Sequence, residues 1–132
     1  MNRIRRRFLG IAVLVLAPMG GAVQASAAGS MVLTNADSAR TVHTDLGSDV
    51  EIRLGTYREN GFTYTWHPPV SSDPAVLPTI SASVTPAGDA VAVFRAEAPG
   101  DAVISAQRSC RPEAGRRCPS VMLPWKATVR VR

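Results

Sequence analysis

Three observations in the sequence predict an all-β sandwich of about seven antiparallel strands behind a cleaved export signal. Apolar and polar residues alternate with a period of two in several short stretches. Proline recurs at 68, 69, 74, 78, 86, 99, 112, 119 and 124, which leaves no room there for a long helix. Turn residues divide the rest into strand-length pieces at intervals of about 8 to 12 residues, the spacing of a two-sheet sandwich.

The first element is the signal. Arg3, Arg5, Arg6 and Arg7 precede the apolar run Ile11–Ala17 with no acid among them, and the run stops at Pro18. It falls far short of the roughly 20 apolar residues that span a bilayer, so no membrane span is expected. The small residues Ala25-Ser26-Ala27-Ala28 suit a signal peptidase cutting after Ala27, or equally one residue later. Residues 1–27 are therefore read as a signal peptide and 28–132 as one domain, secreted or held in the cell envelope. Arg5-Arg6-Arg7-Phe8-Leu9 also resembles a twin-arginine export signal, and an ordinary Sec signal fits as well.

Within the domain, Ser30–Thr34 and Arg40–Thr44 are weak opening strands. Val50, Ile52 and Leu54 alternate with Asp49, Glu51 and Arg53, a strand with one wet face. Phe62, Tyr64 and Trp66 alternate with threonines in the next, after a turn at Gly61. A short strand is expected at Thr79–Val84, an apolar one at Ala90–Arg95, and one in which Ala102, Ile104 and Ala106 share a face. The closing strand carries Trp125, Ala127, Val129 and Val131 on one side and Lys126, Thr128, Arg130 and Arg132 on the other. Seven or so strands in about 100 residues make the expected fold immunoglobulin-like, with Trp66 and Trp125 as core aromatics.

The net charge of +5 points to a nucleic-acid or membrane binder only until it is located. Residues 28–132 hold eleven basic against ten acidic side chains, so the mature chain is nearly neutral. It is also polarised: residues 108–132 carry seven basic residues against Glu113 alone. Without aromatics interleaved in that basic stretch, a nucleic-acid partner is not expected. Cys110 and Cys118 are the sole cysteines, and in an exported chain they are expected to form a disulfide stapling the loop Arg111–Arg117 near its base. Opposed residues on antiparallel neighbours lie at the right separation for such a bridge. His43 and His67 stand alone, so no metal site and no cofactor is expected. No nucleophile elbow, phosphate loop or carboxylate in an apolar run suggests an enzyme.

Two resemblances emerge from these residues. Trp66, Ser72-Asp73-Pro74, and Pro99-Gly100-Asp101-Ala102-Val103-Ile104 resemble the bacterial Ig-like group 2 modules of surface proteins over residues 45–110. Gly47 with Val50–Leu54, Gly61-Phe62, Ala98-Pro99-Gly100 and Arg111-Pro112 resemble, in order and spacing, the chagasin-like inhibitors of papain-type cysteine peptidases. That family uses a wedge of three loops at one end of the sandwich. The resemblance puts Tyr57–Gly61 at the first loop, Gly88 at the second and Arg111-Pro112 at the third, with Glu113 where the family has Trp.

The resemblance implies an exported, non-enzymatic binding domain with Asn60, Gly61, Phe62, Arg111 and Pro112 nearest the contact. The implied partner is a protein, a papain-type cysteine peptidase. The alternative is an envelope or extracellular interaction module that uses the basic stapled loop, with Arg108, Arg111, Arg116 and Arg117, to hold an anionic envelope component.

Overall fold

The computed structural model describes residues 29–132 together with Leu14 and Val15, so the rest of the expected signal peptide lies outside the described residues. No helix among them is long and apolar enough to cross a membrane. Eleven strands follow in order: β1 (Ser30–Thr34), β2 (Thr41–Thr44), β3 (Asp49–Leu54), β4 (Tyr57–Glu59), β5 (Phe62–Trp66), β6 (Val70–Ser71), β7 (Thr79–Val84), β8 (Ala90–Arg95), β9 (Gly100–Ala106), β10 (Arg108–Pro112) and β11 (Trp125–Val131). A 3-10 turn at Asn35–Asp37 links the first two.

The all-β sandwich and all eight expected strands are present. The count exceeds seven because β4, β6 and β10 are added, two of them too short to show a period. One sheet runs β1-β3-β8-β7 and another β2-β11-β9-β6, with a three-stranded ladder β10-β5-β4 at one end. Only Gln107 separates β9 from β10, and its carbonyl accepts from the His67 N–H at 2.9 Å, so the ladder continues the second sheet.

Two pairings differ from the all-antiparallel expectation. β1 runs parallel to β3, and β2 parallel to β11. The chain passes from β1 in one sheet to β2 in the other and back to β3, so each opening strand joins an edge in the direction of its neighbour.

Period-two alternation becomes burial directly. Val50, Ile52 and Leu54 on β3 and Ala90, Ala92 and Phe94 on β8 face Ala102, Ile104 and Ala106 on β9 and the Trp125 face of β11. Phe94, with no exposed surface, is the largest fully buried side chain. Both tryptophans are core residues with their polar edge satisfied: Trp66 Nε1 donates to the Gly55 carbonyl at 2.9 Å and Trp125 Nε1 to that of Thr34 at 3.1 Å. Across the wet face, Asp49 accepts from Arg95 at 3.0 Å and raises that guanidinium's pKa.

Candidate functional site

The end ladder is built on a tight hairpin. β4 and β5 are joined by Asn60-Gly61, whose φ angles of 53° and 79° are the pair of positive values a type I′ turn needs. Gly61 also admits a close neighbour, since a Cβ there would stand 2.8 Å from Arg116 Nε. Arg116 thus lies along the turn and donates from Nη1 to the Asn60 carbonyl at 3.0 Å.

The basic loop is fastened to this hairpin at several points. β10 pairs antiparallel with β5, setting Arg111 opposite Thr63 and Pro112 opposite Phe62. The Glu113 N–H donates to the Gly61 carbonyl at 3.2 Å, and the Glu113 carboxylate pairs with Arg58. The Arg116 N–H donates to the Glu113 carbonyl at 3.0 Å and closes the loop's own turn. Cys110 and Cys118 are bridged, with Cα atoms 5.9 Å apart. The bridge does not join two opposed strands as expected. Cys110 stands opposite Tyr64 in the ladder and Cys118 lies in coil, so the staple closes the loop onto its own first strand.

Register gives the ladder two unlike faces. Tyr57, Phe62, Tyr64 and Trp66 share one, where Tyr57 stacks on Tyr64 at 4.8 Å between centroids. Arg108, grouped from the sequence with the arginines of the basic loop, belongs to this face: its guanidinium lies 5.2 Å above the Tyr64 ring and bonds the Tyr57 hydroxyl. Thr63, Thr65, Ser109 and Arg111 share the other. There Thr65 meets the turn Thr85–Asp89, and the Gly88 carbonyl accepts from the Trp66 N–H at 2.8 Å. A Cβ at Gly88 would fall 2.6 Å from Thr65 Cβ, and φ is +93°, so glycine alone fits this approach. A cleft of about 590 Å³ separates turn and ladder, with Arg111 among its lining residues.

Of the residues singled out in the sequence, Asn60, Gly61, Phe62, Arg111, Pro112 and Arg116 come together at one end of the sandwich. Arg117 is exposed beside Cys118, and among the described residues neither it nor Arg111 has an acidic partner. The histidines are apart and otherwise engaged, His67 with Ser109 at 2.8 Å and His43 with Arg132 at 3.2 Å. Among the described residues no group of three His, Cys, Asp or Glu could hold a metal. The sequence placed Tyr57, Arg58 and Glu113 in the loops without revealing that they fasten them. The Asn60-Gly61 dipeptide, a strong hairpin signal, would have revealed β4 and put Arg58 beside the loop.

The fold that carries these loops has a counterpart among solved structures. That counterpart is a cysteine protease inhibitor. The cysteine protease inhibitor EhICP2 from Entamoeba histolytica superposes with a TM-score of 0.54 at 14% identity, covering 82% of this chain and 100% of its own. The solution structure of amebosin matches at a TM-score of 0.44 and 15% identity, over 80% of this chain and 98% of its own. No family model and no curated protein matches the sequence. At such identity the likeness to EhICP2 is one of fold, and it supports the chagasin-like fold implied by Gly61-Phe62 and Arg111-Pro112.

Proposed function

We propose that the protein is an exported, non-enzymatic inhibitor of papain-type cysteine peptidases that acts through the loops at the hairpin end. The observation that carries this reading is the fastening of Arg111-Pro112 against Phe62 beside the Asn60-Gly61 tip, with the Gly88 turn on the same strand. Three loops so held form a rigid edge that enters a peptidase cleft and occupies it without offering a bond for cleavage. Rigidity lowers the entropy lost on binding. Glu113, in the place of the family's tryptophan, faces Arg58 instead of a partner, which leaves Arg111 and Arg117 as the unspent charges of the edge.

Titrating the protein against a panel of papain-type peptidases tests the reading, with activity on a small fluorogenic substrate as the readout. Competitive inhibition of at least one member is expected, weakened about tenfold or more by Arg111→Ala at unchanged melting temperature. No inhibition across the panel at about 50 μM, well above the affinity of ordinary specific complexes, would overturn it.

A further inference from the structure

A second concavity, of about 740 Å³, lies on the aromatic face of the ladder, away from Arg111. Its volume is that of ligand sites, about 300–1,000 Å³. Tyr57, Trp66, Trp125 and Leu123 supply its apolar lining, and Arg108 and Glu59 its charges. Both indole N–H groups are spent on backbone carbonyls, so the tryptophans offer only ring carbon. Leu123 is 74% exposed and waits uncovered at the rim.

Arg108 is the unusual member. Of five donors, one is used, by the Tyr57 hydroxyl. Its Nε is the sole buried side-chain nitrogen or oxygen among the described residues without a partner, and no carboxylate lies within ion-pair reach. A buried Nε–H without an acceptor carries a desolvation cost that an acceptor entering the cleft would offset. Glu59, exposed on the same face of β4 two residues beyond Tyr57, is an acceptor with no ion-pair partner.

These two charges select the ligand. An anion drawn by Arg108 meets Glu59, and a cation drawn by Glu59 meets Arg108. A neutral amide chain suits both, giving a carbonyl to the guanidinium and an N–H to the carboxylate, with an apolar side chain on the rings. β4 is the last strand of its ladder, so its outer edge is open to an extended chain. We infer that the cleft binds a neutral, extended peptide segment bearing a bulky apolar side chain. The inference does not rest on the inhibitor reading: Arg111 lies on the opposite face of the ladder, and neither Phe62 nor Pro112 lines the cleft.

The protein carries its own reporter, since Trp66 and Trp125 are its two tryptophans and both line the cleft. N-acetyl-leucyl-phenylalaninamide is titrated while tryptophan emission is followed, alongside the same peptide with a free carboxylate. A saturable change below about 1 mM is expected for the blocked peptide, weaker for the acid. Arg108→Met, which keeps the stem over Tyr64, should weaken binding about tenfold, and Glu59→Ala several-fold. Should Arg108→Met fail to fold, the exposed Glu59→Ala carries the comparison. The inference falls if the blocked peptide gives no saturable change up to about 10 mM, far beyond specific recognition. It falls equally if a folded Glu59→Ala binds as the parent does, or if the acid alone binds, which would make the cleft an anion site.

Discussion

Removing the staple by Cys110→Ser with Cys118→Ser should lower stability by an amount that loop closure sets. The bridge spans a sequence separation of 8, and closing a loop of that size restricts the unfolded chain by about 2.5 kcal/mol at 25 °C in the chain-entropy treatment. For a domain of about 100 residues that is a fall in melting temperature of about 10 °C. The folded state should survive, because no residue of the core cluster lies between Gln107 and Pro124, and β10 keeps its pairing with β5. Glu113 and Arg116 still anchor the loop to the hairpin, so the variant should lose stability while keeping its strand content. Urea denaturation and a thermal melt, each against the oxidised parent, measure the difference. A fall of less than about 3 °C would refute the entropic account. A variant unable to fold would refute the claim that the core stands without the staple.

Gly88→Ala should cost about 2–5 kcal/mol, combining the left-handed φ of +93° with the 2.6 Å approach to Thr65 Cβ, and denaturant unfolding reads it. Glu113→Gln and Arg58→Ala should show a coupling of at most about 1 kcal/mol in a double-mutant cycle, since both side chains are largely exposed; additivity would mean that the pair does not hold the loop. Asp37 is held below the usual carboxylate range, first by the Thr34 N–H and then by Arg40. A depressed folded pKa contributes stability above the unfolded value of about 3.9 that is lost as pH falls through the folded one. The deficit of Asp37→Asn should therefore be greatest at neutral pH and vanish in acid; a deficit independent of pH would count against the charge.

Much of this fold was legible because burial follows the period of two. In β3, β8, β9 and β11 every second side chain reaches the core, and a strand written that way cannot shift by one residue without turning its apolar set to water. β10 escaped notice for the opposite reason. Arg108-Ser-Cys-Arg-Pro112 has no apolar alternation, and its pairing depends on β5, more than forty residues earlier. Its terminal Pro112 is tolerated because β10 is the outer strand of its ladder. The parallel edges were illegible because direction depends on the order in which strands cross between sheets. Among the candidate contact residues, position along the chain identified the cluster, but the distribution of arginines was not readable: alternate positions of one strand sent Arg108 to the aromatic face and Arg111 to the other.

On the proposed reading, Glu113 in the position where the resembled family has a tryptophan alters how an end-loop wedge can work. A tryptophan anchor gains affinity from buried area and tolerates a mobile loop. An acid in that position gains nothing from an apolar pocket, and here it turns inward to Arg58 while its N–H holds the Gly61 carbonyl. The loop it begins is then bound to the hairpin through Arg116 and to its own strand through the Cys110–Cys118 bridge. On the proposed reading, affinity that the family draws from a buried ring must come from a loop already in its bound shape, at about 0.5–1.5 kcal/mol for each side chain that need not be ordered. Arg111 and Arg117, which have no acidic partner among the described residues, then add charge at that edge.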